Sequence, residues 1–293
     1  MTNLLSIADL DSESVADILK LAEHEDLGKP LSGKGAALLF QKPSARTRNS
    51  MEMAVVQLGG HPVYIQKDEV GLGTRESVED VARTLACYHS LIAARVMDHN
   101  MLTGMAAAVD TPVLNMLSDT DHPLQALADL LTMKQIAGRL EGVKVAWIGD
   151  GDNNVCRSLA QGCALVDAEL VVASPEGYGL PPAEVAAFSG VRQVVDPAEA
   201  IEGAQFIHTD VWVSMGQDDE SETRIAALGA YRVDEALMEK AGNAWFMHCL
   251  PARRGLEVTD AVIDGPRSAV WRQAENRMHS ARGAIAWMLG QSR

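Results

Sequence analysis

Residues 36–48 read AALLFQKPSARTR, which indicates a strand, a short loop and the approach to a helix. The apolar run 36–40 predicts a buried strand of a parallel sheet, and the apolar side chains of residues 49–58 predict a packed helix. Two hydroxyl groups and two guanidinium groups lie between them, on Ser44, Arg46, Thr47 and Arg48. Backbone N–H groups at a helix N-terminus and arginine side chains both favour an oxyanion, so this pattern predicts a phosphate-type anion site. The structural alternative is a helix cap formed by Ser44 or Thr47, with both arginines in solvent.

Composition limits the class of protein and its partners. The chain has 293 residues, 47% hydrophobic and 22% charged, which predicts a globular protein with two domains of moderate size. The formal net charge of −15 disfavours nucleic acid and anionic membrane surfaces as partners, because the long-range field would repel both. A small anionic substrate is still compatible where arginines gather locally.

Cysteine usage and the first residues bear on location. The four cysteines are scattered without a CxxC pair, which predicts thiols in a reducing compartment and disfavours a disulfide framework. The sequence begins without a basic region followed by an apolar stretch, so no secretory signal is evident, and no apolar run approaches membrane-spanning length. We therefore expect a soluble, cytoplasmic protein.

Strand-like and helix-like segments alternate along the chain. Strands are predicted at residues 36–40, 61–65, 91–96 and 112–116, then at 143–148, 169–173, 191–195, 205–208 and 244–248. Helices are predicted at residues 9–24, 49–58, 77–87, 123–136 and 273–289, with another beginning near residue 154. A charged, glycine-containing stretch at 67–76 predicts a loop. The alternation predicts an α/β protein with two doubly wound parallel-sheet domains joined by interdomain helices.

The helix at 123–136 is the predicted connection between the domains. One domain is expected to comprise residues 1–134, with residues 273–293 packing back on it, and the other to comprise residues 135–272.

Polar side chains recur where the predicted strands end. They are Ser44 to Arg48, Arg95, His122, Asn153, Asn154, Asp210, His248 and Cys249. Open α/β sheets bind ligands at the carboxyl ends of their strands. The recurrence therefore predicts a site built from several strand ends.

Residues 147–154 read WIGDGDNN and follow a strand, so a dinucleotide-binding fingerprint must be considered. Asn154 replaces the third glycine of that fingerprint, and residues 173–175, after the next strand, contain no acid for a ribose. The motif therefore disfavours a nicotinamide-dependent oxidoreductase. The asparagine pair suits hydrogen bonding to the carboxylate or amide of an amino acid, and a simple asparagine N-cap is the structural alternative.

Two further motifs have both a functional and a structural interpretation. His122 and Gln125 lie one helical turn apart, so the histidine can donate to a carbonyl oxygen while the glutamine accepts from an amide. They can equally be surface groups on a capped helix. Asp210 follows a strand, where it can hold an ammonium group or form an ordinary turn.

Cys249 ends a hydrophobic strand beside His248. Neighbouring strand residues point to opposite faces, which disfavours a Cys–His nucleophile. A buried inert thiol or a noncovalent contact to substrate fits better. No cysteine and histidine pair has zinc-like spacing, so no metal site is expected.

Motifs in order from near residue 40 to residue 279 closely resemble those of the aspartate/ornithine carbamoyltransferase family. The matching stretches are SARTR at 44–48, HPLQ at 122–125, DVWVSMG at 210–216, HCLP at 248–251 and AENRMH at 274–279. The third and fourth stretches resemble the members that act on ornithine rather than aspartate. The resemblance covers most of the chain. It implies direct transfer of the carbamoyl group of carbamoyl phosphate to the δ-amine of L-ornithine, which gives L-citrulline in arginine metabolism.

The resemblance also implies a role for each matched residue. The phosphate clamp would comprise Ser44, Ala45, Arg46, Thr47 and Arg48. Arg95 and His122 would polarise the carbonyl oxygen. The remaining carbamoyl-phosphate contacts would be Gln125, Cys249, Leu250 and Arg277. The ornithine contacts would be Asn154, Asp210, Ser214 and Met215, with Asp210 and Cys249 near the δ-amine. No cofactor or metal is implied, because the activated phosphate supplies the driving force.

Two positions depart from the family pattern. Ala45 stands where the family has a threonine, and Gly71 stands where a glutamine often reaches the phosphate. Loss of the threonine hydroxyl removes one hydrogen bond, worth about 1 kcal/mol. The resemblance implies a homotrimer, or a multiple of trimers, with active sites at subunit interfaces. Residues 67–75 are the expected shared element, from which Arg75 of a neighbouring subunit would reach the phosphate.

Three alternatives stay open. A sibling transferase acting on putrescine or an N-acylated ornithine would keep the phosphate half of the site and alter the acceptor half. A nicotinamide-dependent oxidoreductase is a different enzyme class. A non-catalytic metabolite-binding relative is the third, for which the changes at Ala45 and Gly71 are the argument.

Overall fold

The computed structural model of the chain describes residues 2–213 and 218–291. Its strands are β1 (Gly35–Phe40), β2 (His61–Gln66), β3 (His89–Arg95), β4 (Val113–Leu117), β5 (Lys144–Ile148), β6 (Glu169–Ala173), β7 (Val191–Val194), β8 (Phe206–Thr209) and β9 (Trp245–His248).

Helices connect these strands. They are α1 (Ser12–Glu23), α2 (Ala45–Gln57), α3 (Lys67–Val70), α4 (Val78–Ala86), α5 (His99–Ala108), α6 (Pro123–Ala137), α7 (Asn154–Leu165), α8 (Pro182–Ala187), α9 (Pro197–Ala200), α10 (Ser221–Leu228), α11 (Glu235–Lys240), α12 (Asp260–Ile263) and α13 (Val270–Met288). Short 3-10 turns occur at Ile7–Asp9, Asp218–Glu220 and Gly229–Tyr231.

The strands form two sheets, each with parallel pairing throughout. The first sheet has the order β2-β1-β3-β4 and the second the order β7-β6-β5-β8-β9. The prediction of an α/β protein with two parallel sheets is confirmed. In each sheet the strand order reverses at one point, between β1 and β3 in the first and between β5 and β8 in the second. Ligand sites of open α/β sheets lie at such points, beyond the carboxyl ends of the strands.

The chain divides into two compact units. The first unit comprises Met1–Leu131 and Glu275–Arg293, and the second comprises Thr132–Ala274. One boundary falls inside α6 and the other inside α13. Each unit has its own core of buried apolar side chains beside its sheet, which is the usual condition for an independent domain.

Helix α2 begins at Ala45, so the prediction of a loop through Arg48 and a helix from residue 49 is wrong. Ser44 has extended backbone, and its Oγ accepts a hydrogen bond from the Thr47 backbone N–H at 3.3 Å. A capping side chain of this kind satisfies one of the N–H groups that the first helical turn leaves without a partner. Residues 45–48 therefore form the first turn of the helix.

The stretch 67–76, which predicts a loop, instead begins with the short helix α3. Gly71 ends this helix in the left-handed conformation, with φ of 61°, and its N–H donates to Lys67 O at 2.9 Å. Glycine adopts this conformation without the steric cost of a Cβ atom. The prediction missed the helix because the glycine that terminates it reads as a loop signal.

Helix α13 returns to the first unit and packs against α1 in close approach. A Cβ atom at Gly283 would lie 2.6 Å from Ile18 O and 2.7 Å from Ala22 N, so only glycine fits at this crossing. The Arg282 guanidinium donates to Ala22 O at 3.1 Å and to His24 O at 2.7 Å. These bonds satisfy carbonyls at the C-terminal end of α1.

Among the residues described, no helix combines the length and the apolar content that crossing a bilayer requires.

Candidate functional site

The first part of the candidate site lies where the order of the first sheet reverses. Ser44 and Thr47 follow β1, and Arg95 ends β3. Thr47 Oγ1 lies 3.2 Å from Ser44 Oγ and accepts a hydrogen bond from Arg95 Nη1 at 3.4 Å. Thr47 and Arg95 are both buried. A guanidinium group, two hydroxyls and the N-terminus of α2 therefore converge, which is the donor set of an oxyanion site.

The two arginines of the first turn of α2 have different environments. Arg48 is held on one side by an ion pair with Glu52, at 2.7 Å between Nε and Oε1. On the other side its guanidinium lies 3.9 Å from the centre of the Tyr64 ring. Arg46 is exposed and, within the described parts of the chain, forms no ion pair. Of the two predicted clamp arginines, Arg46 is the one available to a ligand.

Ala45 and Arg75, two other predicted carbamoyl-phosphate residues, are exposed. Ala45 is the first residue of α2, directly after the Ser44 cap. The Arg75 guanidinium contacts the Glu69 backbone carbonyl and lies 3.6 Å from Glu76 Oε1. Arg75 thus folds back on its own short loop within this chain.

A second cluster of the first unit joins the start of α6 to α13. Arg277 Nη1 donates to Gln125 Oε1 at 2.5 Å and to His122 Nε2 at 3.4 Å. Gln125 Nε2 in turn donates to Asp129 Oδ1 at 2.8 Å. All four side chains are buried. The predicted residues His122, Gln125 and Arg277 therefore lie together, although 152 residues separate Gln125 from Arg277 in the sequence.

Burial lowers the pKa of His122 well below its usual value, and the nearby charges of Arg277 and Arg95 lower it further. The ring is therefore neutral near pH 7. Since Nε2 accepts from a guanidinium, which can only donate, the proton of the neutral ring resides on Nδ1. His122 is thus a neutral hydrogen-bond donor flanked by two permanent positive charges, which suits stabilisation of a developing oxyanion.

In the second unit, Asp210 and Cys249 meet at the ends of neighbouring strands. Asp210 follows β8, Cys249 follows β9, and the Cys249 thiol donates to Asp210 Oδ1 at 2.9 Å. Asp210 Oδ1 also accepts from the Val211 N–H at 2.8 Å. A carboxylate beside a thiol at a strand end can receive an ammonium group of a ligand.

His248 does not serve Cys249 as a base. Its Nδ1 accepts from the Leu250 N–H at 2.9 Å, so the proton of the neutral ring lies on Nε2, which points to Glu257 Oε1 at 3.3 Å. Both ring nitrogens are therefore engaged away from the thiol. This arrangement supports the noncovalent interpretation of Cys249 over the nucleophile.

The same bonds bear on metal binding. Ligand atoms of Asp210, His248 and Cys249 lie within 4.8 Å of one another, which by distance alone would admit a cation. However, His248 Nδ1 accepts from Leu250, and the thiol proton is donated to Asp210. A metal would have to displace both hydrogen bonds.

Leu250 has φ of 59°, a left-handed conformation that a leucine rarely adopts. Such backbone costs on the order of 1–3 kcal/mol and is most frequent at functional positions. The Leu250–Pro251 peptide bond is cis. The hydrogen bond from the Leu250 N–H to His248 Nδ1 fixes the Cys249–Leu250 peptide group at this position.

The two asparagines at the start of α7 have different roles. Asn153 is the N-cap, because its Oδ1 accepts from the N–H groups of Val155 and Cys156, each at 2.9 Å. Its Nδ2 donates to Asp150 O at 2.7 Å. Asn154 is the first helical residue and half-buried. The cap interpretation therefore applies to Asn153, and Asn154 lies in the first turn of the helix that Asn153 caps.

Asp150 and Arg224 form a buried ion pair that was not predicted from the sequence. Burial raises the pKa of Asp150 to about 6, against the opposing charge of Arg224. Arg224 Nε also donates to Trp212 O at 2.7 Å, two residues after Asp210. Arg224 on α10 thus connects the ends of β5 and β8. Nothing in the local sequence pairs these two residues, which are 74 positions apart.

Two other supporting residues were also missed. Asp129 lies one turn after Gln125, so an i, i+4 polar pair was a usable signal. Gln273 is buried at the start of α13; its Oε1 accepts from the His248 N–H at 2.8 Å and its Nε2 lies 3.1 Å from His208 Nε2. The predicted ornithine contacts Ser214 and Met215 lie outside the described residues.

The chain matches two family models that together span most of its length. Residues 2–135 match the carbamoyl-P binding domain of aspartate/ornithine carbamoyltransferases, and residues 141–288 match their Asp/Orn binding domain.

Curated relatives agree with these matches. The chain is 46% identical to an ornithine carbamoyltransferase of Hyperthermus butylicus, over 98% of this chain and 97% of the relative. It is 44% identical to an ornithine carbamoyltransferase of Parafrankia sp., over 97% of this chain and 95% of the relative.

Solved structures are also similar. The ornithine carbamoyltransferase of Pyrococcus furiosus superposes with a TM-score of 0.94 at 40% identity, covering 100% of this chain and 98% of that chain. That of Thermus thermophilus gives a TM-score of 0.91 at 41% identity, covering 98% of each chain. Sequence motifs, fold and family models thus agree: the chain belongs to the aspartate/ornithine carbamoyltransferase family.

Proposed function

We propose that this chain is a transferase that moves the carbamoyl group of carbamoyl phosphate to the δ-amine of L-ornithine, giving L-citrulline and phosphate. The observation that carries the proposal is the buried, neutral His122 between the guanidinium charges of Arg95 and Arg277. It lies in the half of the chain that matches a carbamoyl-phosphate-binding domain. The ornithine carbamoyltransferases of other organisms that resemble the whole chain support the choice of acceptor.

The phosphate end of the substrate binds at the start of α2. Arg46 is exposed there, and Ser44, Thr47 and Arg95 already form one hydrogen-bonded group. The positive end of the helix dipole and the guanidinium groups together favour a phosphate dianion. In this assignment Arg48 orients the first turn through Glu52 and Tyr64 instead of binding the phosphate directly.

The carbamoyl group is polarised by His122 and Arg95. A neutral histidine with its proton on Nδ1 donates to the carbonyl oxygen without giving up the proton. As the amine attacks, charge grows on this oxygen, and fixed donors in a buried site stabilise that charge more than they stabilise the substrate. Gln125 Oε1 and the Leu250 carbonyl accept hydrogen bonds from the carbamoyl NH2 group, which orients the carbon for attack.

The acceptor amino acid is held by residues of the second unit. Asn154 at the start of α7, with Ser214 and the Met215 backbone, binds its α-amino acid end, and Asp210 with Cys249 lies at its δ-amine. The δ-ammonium must lose a proton before it attacks. The C–N bond then forms, the C–O bond to phosphate breaks, and the proton that the attacking nitrogen releases passes to the departing phosphate, which leaves as the hydrogen phosphate dianion.

The domains follow from these assignments. Residues 1–134 with 273–293 form the carbamoyl-phosphate-binding domain and residues 135–272 the ornithine-binding domain, which is supported by the descriptions of the two matched families of domains. The reaction needs no cofactor, because the acyl phosphate is already activated. We further propose a cytoplasmic homotrimer, or a multiple of trimers, in which Arg75 reaches the site of a neighbouring subunit.

The test is a panel of amines offered with carbamoyl phosphate. Purified protein is assayed with ornithine, putrescine, N-acetylornithine and lysine, and kcat/KM is measured from phosphate release and the ureido product. Ornithine is expected to give the highest kcat/KM. A higher value with putrescine or N-acetylornithine would move the assignment to a sibling transferase, and no turnover with any amine would contradict the proposal.

A matched pair of variants tests the phosphate clamp. Arg46→Met is expected to raise the KM for carbamoyl phosphate by at least about 10-fold, since a charge-assisted hydrogen bond contributes about 1.5–3 kcal/mol. Arg48→Met serves as the control because Arg48 is engaged by Glu52 and Tyr64. Equal effects of the two substitutions on KM would show that the clamp is assigned wrongly.

A further inference from the structure

The segment of residues 3–9 extends the first sheet beside β4. Leu4 N–H donates to Val113 O at 3.0 Å, and Leu4 O accepts from the Asn115 N–H at 2.9 Å, which is parallel pairing. Asn3 Oδ1 accepts from the Val113 N–H at 2.8 Å. Leu4 and Ile7 are fully buried. The segment is therefore a fixed part of the first unit, in register with the strand that leads to His122.

At the far end of this segment, Ser6 contacts the residue directly before His122. Ser6 Oγ donates to Asp121 Oδ1 at 2.8 Å, and both side chains are buried. Ser6 itself is held in place by a reciprocal cap with Asp9: Asp9 Oδ2 accepts from the Ser6 N–H at 2.9 Å, while Ser6 Oγ accepts from the Ala8 N–H at 3.1 Å. The hydroxyl is thus presented to Asp121 in one orientation.

The turn 118–121 is closed around the same carboxylate. Thr120 Oγ1 donates to Asp121 Oδ2 at 2.8 Å, and the Asp121 N–H donates to Ser118 Oγ at 3.1 Å. Ser118 N–H donates to Asp121 O at 2.9 Å, and Asn115 Nδ2 donates to Leu5 O at 2.8 Å. Asp121 therefore joins the strand end, the turn and the segment 3–9 into one buried network.

His122 directly follows this turn in the sequence. Its carbonyl accepts from the N–H groups of Gln125 and Ala126, at 3.0 and 3.2 Å, so the histidine is the last residue before the helical hydrogen bonding of α6. The position of its Cα is consequently set by the turn on one side and by the helix on the other. A fixed Asp121 therefore fixes the direction in which the side chain leaves the His122 backbone, and Arg277 Nη1 holds the ring at Nε2.

We propose that Ser6 and Asp121 are positioning residues for the reaction: through the turn 118–121 they hold the His122 ring in the orientation that polarises the carbamoyl oxygen. This inference rests on the proposed role of His122. It assigns a function to a segment that is far from His122 in the sequence: Ser6 and Asp121 are 115 positions apart.

The test compares Ser6→Ala with a control in the same segment. Asn3→Ala removes one hydrogen bond between the segment and β4, at Val113, but does not touch the turn 118–121. Ser6→Thr keeps the hydroxyl and serves as the rescue. Circular dichroism establishes that each variant is folded at the assay temperature, and Asp121→Asn replaces Ser6→Ala if the latter is unfolded.

Two readouts are measured on these variants. Steady-state kinetics gives kcat and the KM for carbamoyl phosphate. Ring carbon and nitrogen NMR shifts of His122, assigned with a His122→Gln reference, report the ring environment without requiring turnover. For Ser6→Ala we expect kcat to fall about 10-fold and KM to change less than about 2-fold. A catalytic group misplaced by about 1 Å can lower the rate roughly 100-fold, and the His122 ring is expected to move by less than that distance. The His122 resonances are expected to move, Ser6→Thr to restore both readouts, and Asn3→Ala to leave both unchanged.

The outcomes separate this inference from the proposed function. If Ser6→Ala leaves the His122 resonances in place, or lowers kcat no more than Asn3→Ala does, the positioning role is overturned. If the native chain makes no ureido product while Ser6→Ala still shifts the His122 resonances, the positioning is supported and the proposed reaction is what fails.

Discussion

Replacement of Ala45 by threonine is expected to tighten the binding of carbamoyl phosphate. Ala45 is the first residue of α2, between the Ser44 cap and Arg46, and it is exposed. Because residue 45 is exposed, a longer side chain can be placed there without displacing buried side chains. Threonine would add one hydroxyl beside the proposed phosphate site, whose other donors are already assembled around Thr47.

The magnitude follows from the one hydrogen bond gained. A hydroxyl that donates to a charged phosphate contributes about 1–1.5 kcal/mol after exchange with water, which is roughly a 5- to 10-fold lower Kd. Threonine is a poorer helix former than alanine by at most about 0.7 kcal/mol, and less at the first helical position. The expected loss of stability is therefore small, with a Tm shift of a few degrees at most.

The assay measures the KM for carbamoyl phosphate and, separately, the inhibition constant of inorganic phosphate for the native chain and for Ala45→Thr. Ala45→Val is the matched control, because valine has the shape of threonine without the hydroxyl. We expect both constants to fall for threonine and to stay within about 2-fold of the native value for valine. Equal values for the threonine and valine variants would refute the hydrogen bond and, with it, the placement of residue 45 at the phosphate.

Three other predictions concern protonation and the thiol. Arg277→Met should raise the pKa of His122, because one of the two guanidinium charges is removed, but leave it below the usual value because burial, the larger cause, remains; an NMR titration of the ring measures this, and an unchanged pKa would contradict it. The pKa of Asp150 is raised from 3.8 to about 6 in the folded state, so folding takes up a proton between these values. The native chain should therefore gain stability relative to Asp150→Asn as the pH falls from 7 towards 4, by about 2 kcal/mol, with little further change above pH 7; urea unfolding at several pH values tests this, and a gain on raising the pH would contradict it. Cys249→Ser should retain turnover within about 10-fold, whereas loss of a true nucleophile would abolish it, and rapid-quench kinetics should detect no covalent intermediate.

The strand ends were predictable because parallel strands are buried on both faces. Their apolar runs are continuous, as in β1, and the polar residue that follows marks where each strand ends. Arg95 and Asp210 were located in this way, and the parallel sheets bring such ends to one edge. The fold class and the strand-end residues were therefore predictable without any knowledge of contacts.

Helix boundaries were less predictable. Ser44 caps α2, and in the proposed assignment the same SARTR stretch binds the phosphate, so the two interpretations of Ser44 are compatible. Helix α5 went unpredicted because only Leu102 and Met105 are buried on it, too few for an amphipathic stripe. Its signal was the Asp98 cap, whose side chain accepts from the Asn100 N–H.

The contacts that tune the site could not be deduced from spacing. Arg277 meets Gln125 and His122 only because α13 returns to the first unit, which depends on the close approach at Gly283. Similarly, the Asp150–Arg224 pair joins the ends of β5 and β8 through a helix that lies later in the sequence. Local pattern specifies the chemistry of these residues but not their partners.

The proposed reaction is tested most directly by following the carbonyl carbon of carbamoyl phosphate into the product. Purified protein is given carbamoyl phosphate labelled with 13C at the carbonyl, together with ornithine, and the products are observed by 13C NMR. The proposed reaction predicts that the label moves to the ureido carbon of citrulline, with one phosphate released for each citrulline formed. Label that appears only in carbamate, cyanate or bicarbonate, with ornithine unchanged while the protein is folded, would contradict it.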